Sequence, residues 1–291
     1  MNNILTGALL SLFLVSCTAK KSFDPKEANR DKVESDANQN FEGDDSLLSE
    51  DELANLSKEE IICQQGPRVT QLVKKADFAS VFALICEGGG PNDVFNQLIE
   101  GSYKGSGEPK VSVISSTTDE NLVTEIVLGY VINVPMDNPS QFSSYKAHNI
   151  FADGVDTGSS KMVINVAGRE EFPGRRSVEA IQLNYNISMA RGASIYDVRS
   201  TEFNTYLLRE DYRDVVLSTE HITDAATNNN YHLSPGLNIG IANGDGNTDL
   251  MFLSKLVIKE RIDPSRIEAA LTELNAKVAE MIHSHIVNSQ Q

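Results

Sequence analysis

The middle of the chain alternates between apolar and polar residues. The clearest stretch is "IQLNYNISM", in which Ile181, Leu183, Tyr185, Ile187 and Met189 are separated by polar residues. A period of two places the apolar residues on one face of a strand and the polar residues on the other. A strand with one face against a core and the other in water is typical of an antiparallel sheet.

The same alternation recurs along the chain and predicts about seven strands. It is found at 126–134, 162–166, 237–241 and 250–258, with weaker candidates near residues 111, 206 and 214. The segments "ADGVDTGSS" and "NGDGNTD" are rich in Gly, Asn and Asp, which is typical of hairpin turns. The pattern therefore predicts antiparallel strands joined by turns.

Helical periodicity precedes and follows these strands. One short helix is expected from about Val69 to Ile85, and a second starts near Pro91 and ends at Gly101. At the end of the chain, Asp263 is a suitable N-cap and Pro264 a suitable first residue of a long helix.

An apolar stripe runs along this last helix. Its members recur every three or four residues: Ile267, Leu271, Leu274, Val278, Met281 and Ile282. Because such a stripe must be buried, we expect it to pack on the apolar face of the sheet. The predicted fold class is α+β: an antiparallel sheet of about seven strands packed on a long C-terminal helix, with two short helices before it.

This order of elements resembles the helix-grip domains of the START and polyketide-cyclase-like superfamily. The resemblance spans residues 65–288 and rests on element order. It implies a sheet that wraps the last helix and often encloses an apolar cavity. The cavity lining it implies is Ile181, Leu183, Tyr185, Ile187, Leu271, Leu274 and Val278. A first strand before the helices is missing, and a simpler sheet-and-helix sandwich is the alternative.

A second resemblance concerns the first 17 residues. The apolar run from Ile4 to Val15 is shorter than the ~20 residues that a membrane span needs, and it suits a secretory signal. Leu14, Val15, Ser16 and Cys17 resemble the bacterial lipobox, although no Lys or Arg precedes the apolar run. The resemblance implies a signal peptide over 1–16, cleavage, and lipid on Cys17. The alternatives are an unlipidated secretory peptide and the start of an ordinary helix.

Acidic residues are concentrated directly after this signal. The chain has 291 residues and a formal net charge of −16, of which residues 21–60 contribute −8, with 13 Asp and Glu against 5 Lys and Arg. This stretch is poor in aromatic and β-branched residues and cannot bury enough apolar area to offset the entropy of ordering. We interpret 17–60 as a lipidated, acidic, disordered tether, and 61–291 as the α+β domain. No basic run is present, which disfavours nucleic acid as a partner.

Two cysteines remain besides Cys17. In an oxidising envelope, Cys63 and Cys86 favour a disulfide, worth about 3 kcal/mol in the chain-entropy model. Two buried free thiols and a metal pair are the alternatives. No CxxC occurs and no His lies near either cysteine in sequence, so the metal pair is the weakest of the three.

Candidate catalytic and metal sites are weak. The segment from Asn243 to Asp249 has the spacing of a calcium loop, but Thr248 and Ser254 stand where such a loop has Gly and Glu, so a hairpin tip is favoured. His283 and His285 are two residues apart on a helix and point in different directions. We expect no catalytic residue, no metal and no cofactor.

The functional hypothesis combines the predicted cellular location with the predicted fold. A lipid anchor would place the chain in the cell envelope, and Thr18 after the acceptor cysteine fits the outer-membrane sorting rule of enteric bacteria. The domain would be non-catalytic and bind an apolar or amphipathic small molecule between sheet and helix. The alternative is an interaction or structural module with a solid core, which docks another envelope protein.

Overall fold

The computed structural model describes residues 50–71, 78–121, 123–141, 155–156, 161–172, 180–191, 194–198, 205–212, 214–222, 231–258 and 264–289. The helices within these ranges are α1 (Glu50–Leu53), α2 (Lys58–Gln71), α3 (Phe78–Ile85), α4 (Asp93–Glu100) and α5 (Pro264–Ser289). The strands are β1 (Cys86–Glu87), β2 (Gly90–Pro91), β3 (Ser112–Thr118), β4 (Thr124–Val134), β5 (Val155–Asp156), β6 (Lys161–Phe172), β7 (Ala180–Arg191), β8 (Ser194–Val198), β9 (Thr205–Tyr212), β10 (Val215–Ile222), β11 (Tyr231–Ala242) and β12 (Thr248–Ile258).

The strands form two large antiparallel sheets. One has six strands in the order β3-β4-β12-β11-β10-β9, and the other has four in the order β5-β6-β7-β8. The sheets meet where β7 lies beside β9. The prediction of an antiparallel α+β fold ending in a long helix is confirmed. Among the described residues, eight longer strands stand in place of about seven, and the short strands β1, β2, β5 and β8 add to them.

The folded part of the chain begins before the boundary predicted at residue 61, which falls inside α2. Ser57 and Glu60 form a capping box at the start of α2: the Glu60 N–H donates to Ser57 Oγ at 3.1 Å, and the Ser57 N–H donates to Glu60 Oε2 at 2.8 Å. Leu53 and Leu56 pack against the core. These residues therefore belong to the domain and not to a disordered tether.

The short helices differ in detail from the prediction. The helix expected over Val69–Ile85 corresponds to the end of α2 and to α3, and residues 72–77 lie outside the described part. Pro91 lies in a two-residue strand, and Asn92 is the N-cap of α4, accepting from the N–H groups of Val94 and Phe95. Gly101 ends α4, as predicted.

Helices pack on both faces of the six-stranded sheet. On the front face, apolar residues of β4, β10, β11 and β12 pack against α2, α3 and α4, with Ile62, Phe82 and Ile85 at 0–1% exposure. Gly66 of α2 allows this close packing, because a Cβ there would collide with the ring of Phe82. The wet face predicted for the strand at 181–189 concerns β7, whose side chains lie outside the described residues.

The back face of the same sheet carries α5. This helix lies along β3 and β4, and Leu271 packs with Ile126, Leu128 and Leu256. β4 is therefore buried on both sides along most of its length. Pro264 is the first residue of α5, as predicted, whereas Asp263 lies outside the described residues.

Candidate functional site

The candidate site is the back face, where the sequence predicts a cavity. The three predicted helix residues Leu271, Leu274 and Val278 are buried, at 0%, 1% and 1% exposure. Side chains with so little accessible surface contact protein atoms and border no open space. The stripe therefore packs against the domain as predicted, but these three positions are sealed.

The four predicted strand residues all lie on β7. Ile181, Leu183, Tyr185 and Ile187 occupy alternate positions of that strand, and their backbones pair with β6. Their side chains lie outside what the structure describes. In strand order, β12, β11, β10 and β9 stand between β4, which carries α5, and β7. The described contacts therefore do not join the two halves of the predicted lining.

The middle of the back face is less tightly covered than its two ends. On β12, Leu250 and Leu256 are 2% and 3% exposed, whereas Phe252 and Ser254 between them keep part of their surface accessible. Asn238 of β11 pairs with Phe252 across the ladder and is also partly exposed. We call Asn238, Phe252 and Ser254 the central patch.

Aromatic stacking forms one side of the central patch. Phe252 lies opposite Tyr130 of β4, and the two rings stack with centroids 5.0 Å apart and planes 16° apart. Burial raises the pKa of the Tyr130 hydroxyl far above its usual range. The phenol is therefore neutral at physiological pH, and the patch offers aromatic surface beside neutral amide and hydroxyl groups.

The ends of the back face are closed by packing. At one end, a Cβ on Gly240 would come within 2.8 Å of Pro139, because the 3₁₀ turn Pro139–Gln141 covers this position. The Thr248 hydroxyl donates to the Met136 carbonyl at 2.6 Å and holds the same loop. At the other end, Leu271 fills the space above Ile126. Among the described side chains of β4, β11 and β12, the opening in the back face is thus at its centre.

Asn275 is the polar residue of the buried α5 stripe. It follows Leu271 by four residues and precedes Val278 by three, so it lies on the same side of the helix. Its side chain is 1% exposed and its Nδ2 donates to the Leu271 carbonyl at 2.8 Å. Within the described part of the chain, its Oδ1 has no hydrogen-bond partner. A buried acceptor without a donor is costly and uncommon in folded proteins.

Two other predicted features are present elsewhere in the fold. Cys63 of α2 and Cys86 of β1 form a disulfide with Cα atoms 5.5 Å apart, and it lies next to the front-face core. Residues 243–247 form the hairpin tip between β11 and β12, with Gly244 and Gly246 at positive φ. The hairpin interpretation is therefore the right one for this segment.

Asp249 anchors this hairpin. Its Oδ1 accepts from Ser102 Oγ at 3.0 Å and from Asn133 Nδ2 at 2.8 Å, and its Oδ2 accepts from Asn243 Nδ2 at 2.9 Å. Three neutral donors thus hold one buried carboxylate and tie the hairpin to β4 and to the α4–β3 loop. Because these contacts occupy the carboxylate, we assign it a structural role.

The far end of α5 is anchored by an aromatic contact. The ring of His283 meets Tyr103 edge-on, with centroids 5.2 Å apart. Tyr103 also bonds through its backbone to Val131 and Asn133 of β4. Desolvation lowers the pKa of His283. α5 therefore follows β4 from Leu271 to His283.

A separate cleft of about 490 Å³ opens at the start of α2. Ser57, Lys58 and Glu59 line one side, and Asp214 and Asn243 line the other. The Lys58 ammonium donates to the Ala242 carbonyl across it. Its charged rim differs from the neutral central patch.

The described residues contain neither a membrane-spanning helix nor a cluster of metal-binding side chains. None of the described helices is both long enough and apolar enough to cross a membrane. In the same ranges, no three His, Cys, Asp or Glu side chains are grouped so that they could hold a metal ion.

No protein-family model and no curated protein matches the chain in sequence. Among solved structures, the lipid transfer and protein localization domain of human StarD13 covers 67% of this chain and 97% of its own, with 11% identity and a TM-score of 0.36. Human STARD10 covers 69% and 81%, with 7% identity and a TM-score of 0.37. The Zhui aromatase/cyclase from Streptomyces covers 54% and 94%, with 12% identity and a TM-score of 0.27.

These neighbours are of the kinds that the element order resembles. Identities near one residue in ten and TM-scores below 0.5 transfer neither a ligand nor an activity to this chain. The architecture of the chain defines its class: it is an α+β domain whose antiparallel sheet packs against a C-terminal helix.

Sequence reasoning missed the central patch and Asn275. An amide inside the stripe between Leu271 and Val278 was a readable signal, because every neighbouring stripe position is apolar. The partial exposure of Phe252 was not readable, since it depends on how far α5 reaches across the sheet.

Proposed function

We propose that this chain is a lipid-anchored protein of the cell envelope whose domain binds an amphipathic small molecule between α5 and the back face. The domain acts as a carrier or receptor and not as a catalyst. The central patch carries this proposal: aromatic surface and neutral polar groups remain accessible between the buried apolar residues that β4 and β12 place on this face. Sites for small apolar ligands have this composition, with apolar walls and a few placed polar groups.

The proposed location rests on the residues that precede α1. Cys17 is the lipid acceptor, and the acidic segment that follows holds the domain away from the membrane surface. Two or more acyl chains give stable anchoring where one chain is marginal. Thr18 favours the outer membrane. The disulfide between Cys63 and Cys86 suits an oxidising compartment.

Anchoring is tested by the variant Cys17→Ala in the native host. The wild-type chain is expected in the membrane fraction and the variant in the soluble fraction, with an altered electrophoretic mobility. Equal fractionation and equal mobility of the two chains would remove the anchor from the proposal.

Ligand binding is tested by mass spectrometry of the full chain purified from its membranes. A lipid-like mass is expected on the wild-type chain and absent from Ser254→Trp, because an indole at this position covers the central patch. Ala83→Trp is the matched control, since Ala83 is exposed on α3, which packs on the other face of the sheet. A wild-type chain that carries no such mass under any mild extraction would contradict the carrier function.

A second candidate function is an interaction module with a solid core. The near-zero exposure of Leu271, Leu274 and Val278 favours it, because sealed packing under α5 is what a solid core requires. Crosslinking in membranes followed by pull-down distinguishes the two. Recovery of one specific envelope protein crosslinked to a chain that carries no ligand would establish this alternative.

A further inference from the structure

We infer that Asn275 is the recognition residue of the α5 site, and that the ligand is an uncharged amphiphile carrying a hydroxyl or amide N–H donor on an apolar body. This inference rests on the proposed binding function and adds the chemical class of the ligand.

The Asn275 side chain has one atom that lacks a hydrogen-bond partner among the described residues. Its amide nitrogen donates to the Leu271 carbonyl, which leaves the Oδ1 atom as the free end of the group. That oxygen is buried and has no donor among the described residues. The missing partner must be a hydrogen-bond donor, because a carbonyl oxygen only accepts.

The contacts of α5 on either side of Asn275 place this residue relative to the central patch. Leu271, one turn before it, packs on Ile126 and Leu128, and His283, two turns after it, meets Tyr103 beside Val131. Since α5 follows β4 between these contacts, Asn275 lies above the middle of that strand. Across the ladder from Leu128 and Tyr130 lie Ser254 and Phe252 of the central patch. The orphan acceptor and the accessible patch therefore occupy the same level of the back face.

The groups that β4, β11 and β12 present to the site are uncharged. Tyr130 is neutral, and the groups that face this level from β4, β11 and β12 are aromatic, amide, hydroxyl or aliphatic. A charged headgroup held against these three strands would meet no opposite charge from them, which is unfavourable for a buried ion. A hydroxyl or amide donor satisfies Asn275 without introducing a charge, and the apolar body contacts the stripe and the stacked rings.

The sealed packing around Leu271 and Val278 defines how the ligand enters. Asn275 interrupts the apolar stripe at its centre with an unsatisfied acceptor, which costs stability at this level. A ligand that enters at the central patch and donates to Oδ1 replaces an unfavourable contact with a favourable one. The binding site is thus created as α5 moves away from the sheet.

The test uses the full chain in non-ionic detergent micelles with two competing lipids, read by native mass spectrometry. One lipid is a diacylglycerol, and the other is its 3-O-methyl ether, which keeps the apolar body and lacks the donor. The wild-type chain is expected to bind the diacylglycerol about tenfold more than the ether, the ratio that one buried hydrogen bond gives.

Asn275→Leu removes the acceptor and keeps a side chain of similar size in the stripe. It is expected to bind the two lipids equally, and to bind the ether as well as the wild-type chain does. Asn288→Leu makes the same change at an exposed position of α5 and is expected to keep the tenfold preference. Asn275→Ala serves the same purpose should the leucine variant fold poorly.

The contradicting outcomes separate the two levels of the proposal. Equal binding of both lipids by the wild-type chain, or an unchanged preference in both Asn275 variants, overturns the role of Asn275 and leaves the binding function standing. A lower melting temperature of Asn275→Leu without any change in lipid preference also overturns it, because the acceptor then already has a partner in the ligand-free chain. Binding of neither lipid overturns both.

Discussion

The two faces of the six-stranded sheet differ in how they are covered. On the front face, three helices and a disulfide enclose a core in which Ile62, Phe82 and Ile85 have almost no accessible surface. On the back face, one helix lies along β3 and β4, and Phe252 and Ser254 stay partly exposed beyond it. The front face therefore stabilises the domain, and the back face keeps surface available for a ligand.

The difference comes from the size and polarity of the residues at equivalent positions. Front-face positions of β11 and β12 hold Leu237, Ile239 and Leu253, which fill the space beneath the helices. The alternating back-face positions include Asn238 and Ser254, which are too small or too polar to do so. A single strand can thus stabilise the fold with one side and offer a binding surface with the other.

The largest expected effect comes from the same substitution on each face. Phe82→Ala should lower the free energy of unfolding by about 3–5 kcal/mol, because it leaves a cavity in a closed core. Phe252→Ala should lower it by about half as much, since part of this ring is already accessible. Urea unfolding of both variants gives the ratio, and equal losses would show that the two faces are equally closed.

Loss of the disulfide comes next. The double variant Cys63→Ser, Cys86→Ser should lower the free energy of unfolding by about 3 kcal/mol, because the bridge closes a loop with a sequence separation of 23. Reduction of the wild-type chain should produce the same loss, and the double variant should not respond to reductant. A wild-type chain insensitive to reductant would mean that the bridge contributes little to the front face.

Asp249→Asn is expected to lower the free energy of unfolding by about 2 kcal/mol. The new amide nitrogen would face either the Asn243 donor or the Ser102 and Asn133 donors, and would leave buried groups unsatisfied. Asp245→Asn in the same hairpin is the control, because this residue is exposed and its oxygen can still accept from the Asn247 N–H. Equal thermal unfolding of the two variants would contradict the anchoring role of Asp249.

A stabilising change is expected on the back face. Asn275→Leu should raise the free energy of unfolding by about 1 kcal/mol, because it replaces an unsatisfied buried acceptor with an apolar side chain. A loss of stability would mean that the Asn275 oxygen already has a partner in the ligand-free chain.

The smallest expected effect concerns pH. Desolvation lowers the pKa of His283 in the folded chain below its ordinary value near 6.5. As the pH falls below 6.5, the unfolded chain takes up this proton before the folded chain does, so stability is lost on acidification. His283→Gln should therefore show a slightly flatter decline in melting temperature between pH 7.5 and pH 5 than the wild-type chain. A steeper decline in the variant would contradict the assigned direction.

The sequence predicted the elements better than their contacts. Alternation at 126–134 and 237–241 located β4 and β11, and the stripe from Leu271 to Ile282 located α5, because periodicity follows directly from local geometry. The covered front face was not predicted, since it depends on α2 and α3 folding back over the sheet. The helix half and the β7 half of the predicted cavity lining are separated by the order of the strands in the sheet. Local sequence patterns do not encode this order.

Hydrogen exchange of the full chain, with and without the diacylglycerol, tests the central claim most directly. A ligand held between α5 and the back face should slow the exchange of α5 amides by tenfold or more and leave the amides of α2 and α3 unchanged. Unchanged exchange in α5 at saturating lipid, or equal slowing on both faces, would contradict the account.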